Sequence, residues 1–174
     1  MQTFQELFNQ LLKDIQKELN EEFDRNFERK AFFTTAWKPA IRNKTGSLMM
    51  RSGALRKSMT ASIISGNEIK WTSSYPYADI HNTGGTITVT QKMKGFFWYQ
   101  FRLATGGDNK KITPDAIFWK SLGLKKVGST IIIPKRQFIG THPVVESCIN
   151  GVFNEWFNND VKQFVDDQLN NIVK

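Results

Sequence analysis

The apolar residues at the start of the chain recur every three or four positions: Phe4, Leu7, Phe8, Leu11, Leu12, Ile15, Leu19, Phe23 and Phe27. That is the period of an amphipathic helix, and it predicts one from about Phe4 to about Arg29. Lys13, Lys17, Glu18, Glu21, Glu22 and Arg25 occupy its other faces. The same period returns near the other end, through Val144, Val145, Cys148, Ile149, Val152, Phe153, Trp156, Phe157, Val161, Phe164, Val165 and Leu169. Thr141 is the expected N-cap of this second helix, and Pro143 sits in its first turn. The helix is expected to reach about Val173, with a bend at Gly151 or at Asn158-Asn159-Asp160. Both stripes need partners, because propensity alone rarely holds a helix in water.

Between the helices the pattern changes. Pro39 disfavours helix at Lys38 and marks a connection. Positions 43–47 (NKTGS) read as a loop, and Gly53 can begin a short helix through Ala54, Leu55, Arg56 and Lys57. Positions 60–65 (TASIIS) and 68–73 (EIKWTS) are short β-type runs around Gly66-Asn67, the pattern of a hairpin. Ile80 precedes a turn-rich stretch, Asn82-Thr83-Gly84-Gly85, followed by a strand pattern at 86–90 (TITVT). Ile131, Ile132 and Ile133 finish a strand before Pro134.

Positions 91–128 form an aromatic and basic insert. Phe96, Phe97, Trp98, Tyr99 and Phe101 cluster first, without an assigned element. Then come a long loop at 104–111 (ATGGDNKK), a short helix at 114–122 and a basic, glycine-containing turn at 124–130. The glycines and the loop suggest a mobile segment. The expected fold is α+β in a single domain over 1–174: an antiparallel β-sheet packed against long N- and C-terminal α-helices.

Charge sharpens this division. The 174 residues carry a net charge of +8. Residues 1–30 hold 5 Lys/Arg against 7 Asp/Glu, and residues 141–174 hold 2 against 5. Residues 31–140 hold 17 against 4, so the basic character belongs to the middle. That excess suits a polyanion such as DNA, but the charges are scattered rather than gathered in a run, which favours a solvated lysine-rich surface. The aromatic share, 13%, is high and comes mostly from 14 Phe and 5 Trp. Such rings fill cores or subunit contacts.

Most chemistry is disfavoured. Cys148 is the one cysteine, so no intrachain disulfide and no multi-cysteine metal site can form. His81 and His142 are the two histidines, and neither HxxxH nor a dense Asp loop occurs. No metal or cofactor is expected. Ser58, Asp79 and His81 would have to converge to act as a triad, and no G-x-S-x-G elbow is present. Gly84-Gly85 and Gly106-Gly107 fit neither a P-loop nor a dinucleotide fingerprint. No apolar run approaches the roughly 20 residues of a membrane span. The N-terminal MQTFQELFNQLLKDI lacks the continuous apolar core of a signal peptide.

Three segments remain. The first is Leu48, Ser52, Gly53, Leu55 and Ser58; the second is Tyr77, Ala78, Ile80, His81, Gly84 and Gly85. The third is Ile133, Pro134, Arg136, Phe138 and Gly140. In this order, between two helical ends, they resemble the "L-x-x-[ST]-G-x-L-x-x-S", "YA-x-IH-x-x-GG" and "IP-x-R-x-F-x-G" segments of the phage virion morphogenesis family. That family acts in tail completion and at the head–tail junction. Gln137 departs from the family's frequent R-P-F run.

The resemblance implies a non-enzymatic virion protein that forms a ring and touches tail-tube or head–tail connector proteins. It would work in the virion, after assembly in the bacterial host cytoplasm, with no membrane partner. Lys92, Lys94, Arg102, Lys110, Lys111, Lys120, Lys125 and Lys126 are candidates to face DNA or an acidic neighbour. A basic nucleic-acid-binding module is the alternative, and a cell-wall hydrolase a third reading. Physically, Tyr77 and Ile80 are expected to pack while His81 bonds to a nearby loop. Gly84-Gly85 reverses the chain. Arg136 offers a fork for a carboxylate or a backbone carbonyl, and Phe138 is expected to wedge the start of the last helix into the core.

Overall fold

A computed structural model describes residues 3–40, 48–64, 67–108 and 113–172. The expected loop at 43–47, part of the turn at Gly66, Lys110, Lys111 and the helix end at Val173 lie outside them. The chain is α+β and forms two compact units. Met1–Thr83 and Lys135–Lys174 make the first, and Gly84–Pro134 makes the second. The insert read at 91–128 falls inside the second unit, whose bounds also take in a pair of strands.

In the first unit, α1 (Phe4–Arg29) begins with a capping box. The Thr3 hydroxyl accepts from the Glu6 N–H, and the Glu6 carboxylate accepts from the Thr3 N–H at 2.7 Å. The helix ends at Lys30 in the left-handed conformation. A tight hairpin follows, β1 (Ala31–Phe32) with β2 (Thr35–Ala36). Leu7, Leu11, Ile15, Leu19 and Phe23 of α1 pack with Phe32, Phe33, Val145 and Trp156 in one core cluster. The Trp156 indole N–H donates to the Leu7 carbonyl at 3.2 Å and satisfies a buried donor.

The C-terminal helix is α6 (Pro143–Trp156), a π-helical turn at Phe157–Val161, and α7 (Lys162–Ile172). The irregularity falls at Asn158-Asn159-Asp160 and not at Gly151. His142, not Thr141, is the N-cap: its Nδ1 accepts from the Val144 N–H at 3.2 Å. Its ring also stacks on Phe33 at 4.6 Å, an anchor that Thr141 lacks. Cys148 packs half-buried against the first core, and burial pushes its thiol pKa up.

β3 (Met59–Ile64) and β4 (Glu68–Ser73) form the expected hairpin, with Ala61 opposite Trp71. Gln16 and Asn20 of α1 fasten it: the Gln16 amide donates to the Ala61 carbonyl at 2.8 Å, and the Trp71 indole donates to Asn20 at 2.7 Å. Antiparallel pairing is therefore divided among three two-stranded ladders among the described residues, rather than gathered in one sheet.

The second unit is built differently. β5 (Gly85–Thr88) pairs with β6 (Thr130–Ile133), Gly85 lying opposite Ile133 and Thr88 opposite Thr130. Between them, α4 (Gln91–Thr105) and α5 (Pro114–Gly123) form a helical hairpin. Thr90 and Thr113 cap the two helices, accepting from Met93 N–H at 3.2 Å and Ala116 N–H at 3.0 Å. Gly106 ends α4 with φ 63°. The described part of the insert is thus mostly helix: the short helix expected at 114–122 is α5, and the aromatic cluster, without an expected element, falls in α4. Its aromatic run hid the helix because large rings stand on every face: Phe97 is buried, whereas Phe96 and Tyr99 are exposed.

Candidate functional site

Apart from Gly84, Gly85, Ile133 and Pro134, which belong to the second unit, the motif residues lie in the first unit, and each segment is placed by a different local device. Gly53, at φ 70°, begins the short helix α2 (Ala54–Lys57). A side chain there would be strained in this left-handed conformation. Leu55 is buried below it. The Ser58 hydroxyl donates to the Leu55 carbonyl at 2.7 Å and shares a 2.7 Å bond with Ser73, so it closes α2 onto β4. Arg56 ties the segment to α1 through Asp24 and through Glu28 at 2.8 Å, and these carboxylates raise its pKa.

The second segment forms the one-and-a-half-turn helix α3 (Ala78–Thr83), where a turn was expected before Gly84. Ala78 is buried, Ile80 is half-buried and Tyr77 is 56% exposed. Tyr77 therefore does not pack as expected; among the described residues its one aromatic ring contact is with the edge of Tyr75, at 5.8 Å. Gly84, at φ 75°, turns the chain out of α3, and Gly85 begins β5.

The third segment lies extended along α3. The Arg136 N–H donates to the His81 carbonyl at 2.8 Å. The Asn82 side-chain oxygen accepts from the N–H groups of Phe138, at 2.9 Å, and Ile139, at 3.2 Å. From α1, the Asn26 amide donates to the Phe138 carbonyl at 3.1 Å while its oxygen accepts from the Phe33 N–H at 2.9 Å. The Trp37 indole donates to the Gln137 carbonyl. Phe138, 2% exposed, fills a second core with Phe27, Trp37, Leu55 and Ala78. Gly140 has φ 142°, and a Cβ there would stand 2.5 Å from the Gln137 amide nitrogen.

Leu48, Ser52, Gly53 and Leu55 from the first segment, His81 from the second and Arg136 from the third line one cavity of about 310 Å³. Arg51 lines it as well. Arg136 is 8% exposed, and its Nε donates to the Lys38 carbonyl at 3.0 Å. Among the described residues no carboxylate pairs with it. Its burial lowers its pKa. The Nδ1 of His81 is buried and has no hydrogen-bond partner among the described residues. The imidazole therefore does not bond to a nearby loop; its own carbonyl makes the connection, to Arg136. Desolvation first, and then the Arg136 charge, hold the His81 pKa below its ordinary value.

This arrangement does not assemble a triad. Ser58 is committed to Leu55 and Ser73, and His81 Nδ1 engages neither Ser58 nor Asp79. Among the described residues no group of three or more His, Cys, Asp or Glu side chains could hold a metal ion. No described helix is long and apolar enough to cross a membrane.

The expected basic residues occupy the second unit. Lys92 and Lys94 lie in the first turn of α4, Arg102 in its last, Lys120 in the last turn of α5, and Lys125 and Lys126 just beyond it. The Thr113 hydroxyl at the start of α5 donates to the Ala104 carbonyl near the end of α4 at 3.4 Å, and Gly123 at the end of α5 lies against Trp98, so the two helices run antiparallel. Lys92, Lys94, Lys120, Lys125 and Lys126 thus gather at one end of the hairpin, and Arg102 lies at the other.

Asn26 and Asn82, which join the motif segments, escaped the sequence reading. For Asn26 a signal existed: it falls between Phe23 and Phe27 on the apolar stripe, where an amide must find buried partners. In comparisons with known proteins, the chain matches no family model, no curated protein and no solved structure.

Proposed function

We propose that this chain is a non-enzymatic structural protein of virion morphogenesis. It acts in tail completion or head–tail joining and works as an oligomeric ring. The observation that carries this reading is the convergence of the three resembling segments on one junction. The residues that carry the resemblance are used there to fix backbone: Gly53 and Gly140 through positive φ, Ser58 through a turn bond, Phe138 through burial. Such a junction holds a shape, as a part that works by contact requires. A closed ring is the natural arrangement around a channel that conducts DNA. The partners are tail-tube or connector proteins, and the place of action is the virion, after assembly in the bacterial host cytoplasm.

Sedimentation velocity with and without tail-tube protein tests the proposal. Concentration-dependent association, completed to a ring on the tail end or connector, is the expected result. A strict monomer that joins no tail or neck component overturns it.

A second reading, a nucleic-acid-binding module, draws support from the five lysines at one end of the α4–α5 hairpin. Phosphate contacts of that kind position DNA without reading its sequence. It requires a monomer with appreciable, strongly salt-dependent affinity for duplex DNA.

A further inference from the structure

We propose that the cavity at the motif junction receives a carboxylate side chain from a second copy of this chain, supplied by one of the exposed acidic residues of its C-terminal helix. The starting point is Arg136. A guanidinium that is 8% exposed and has no carboxylate partner among the described residues is costly to leave so. Nε is spent on the Lys38 carbonyl, and the remaining fork is the part that matches a carboxylate in two parallel hydrogen bonds.

Beside it, His81 Nδ1 is the one buried side-chain polar atom without a partner among the described residues. In its Nδ1–H tautomer the neutral imidazole can donate to the same carboxylate. Arg51 lines the cavity too and adds positive potential. Leu48, Leu55 and Tyr75 supply apolar walls, which suit a side chain carried on a protein surface. The other described hollow beside Tyr75, about 470 Å³, is lined by Asp79 and no cation, and the hollow beside Arg56 also holds Asp24, which already pairs with that guanidinium.

The chain itself carries the complement. Residues 141–174 hold 5 acidic side chains against 2 basic ones. Glu155, Asp160 and Asp166 are exposed on α6, the π-helical turn and α7. Phe153 and Phe157 of the same helix are also exposed and stack at 6.2 Å. A cavity on one copy that takes an acidic helix from the next is a head-to-tail contact, which closes into a ring when the rotation permits. The inference names the partner of the junction and, for the source of the carboxylate, rests on the ring reading above.

Two measurements on the full chain test it. In the first, acetate is titrated against chloride at equal ionic strength while the His81 ring resonances are followed at pH 7. Acetate is expected to move them and to raise the melting temperature, and chloride is not. No response, or an equal response to chloride and phosphate, overturns the carboxylate site without touching the ring reading.

In the second, self-association is measured by sedimentation equilibrium for wild type, Arg136→Met and the surface triple variant Glu155→Gln/Asp160→Asn/Asp166→Asn. Both variants are expected to weaken association by at least about tenfold, as for loss of a desolvated charge pair. The triple variant should keep the acetate response, since its own cavity is intact. Wild-type self-association by the triple variant overturns the assignment of the donor helix. If no form self-associates while acetate still binds, the ring reading fails and the second copy with it. The triple variant changes exposed residues only, so the test does not depend on Arg136→Met folding.

Discussion

The two units hold themselves together in different ways. At the motif junction, polar side chains tie backbone to backbone: Asn26, Asn82, Ser58 and Trp37 each reach a main-chain group. The α4–α5 hairpin relies on rings, with Phe96, Phe97, Phe118 and Trp119 in one cluster and Trp98 against Phe101 in a separate pair. The junction hides its charge, in Arg136, whereas the hairpin shows its charge, in Lys92, Arg102, Lys120 and Lys126. Directional bonds fix one geometry and tolerate little change. Ring packing fixes proximity, and it leaves Tyr99, Leu103, Ile117 and Leu124 exposed as surface. The junction is therefore a framework with one unsatisfied spot, and the hairpin presents a broad apolar and basic face.

The sharpest way to break this contrast is to empty the junction. Phe138→Ala removes a ring that is 2% exposed and should cost about 3–5 kcal/mol, read by denaturant unfolding. An unchanged midpoint would show that the second core does not depend on Phe138. The matching change in the hairpin is Gly123→Ala. Its new Cβ would stand 2.9 Å from the Trp98 ring, and overpacking of that kind costs about 1–3 kcal/mol. Hydrogen exchange should quicken across 84–134 and stay unchanged in α1 and α6. Faster exchange in α1 would contradict the division into two compact units.

A smaller effect concerns pH. The folded-state pKa of His81 is depressed, so the unfolded chain binds the proton more readily. The contribution is present above the ordinary histidine pKa of about 6.5 and is lost as pH falls through the depressed folded value. Wild type should lose more stability than His81→Gln between pH 7 and pH 5. Parallel slopes for the two proteins would place His81 in water. The smallest effect on stability belongs to the hairpin lysines. Replacing Lys92, Lys94, Lys120, Lys125 and Lys126 by Gln should change unfolding by no more than about 0.5 kcal/mol. The same variant should lower particle yield in a complementation assay if this end of the hairpin meets DNA or an acidic neighbour. Normal particle yield would leave the charge as a solubility feature.

What the sequence by itself determined is the periodic part. The stripe from Phe4 to Phe27, the β3–β4 hairpin and the short helix behind Gly53 follow from local spacing and local turn chemistry, whereas the same signals narrow the bend of the last helix only to Gly151 or Asn158-Asn159-Asp160. Those signals are carried by residues close in the chain, so they can be read in order. The α4 helix could not be read this way, because rings on several faces erase the amphipathic period. The N-cap at His142 was settled by stacking on Phe33, a residue more than a hundred positions away. Only the tertiary structure decided that Leu48, His81 and Arg136 share a cavity, and that Asn26 bridges Phe33 and Phe138. Hydrogen-bond satisfaction and burial are properties of the assembled interior, and no spacing along the chain encodes which distant partner meets which donor.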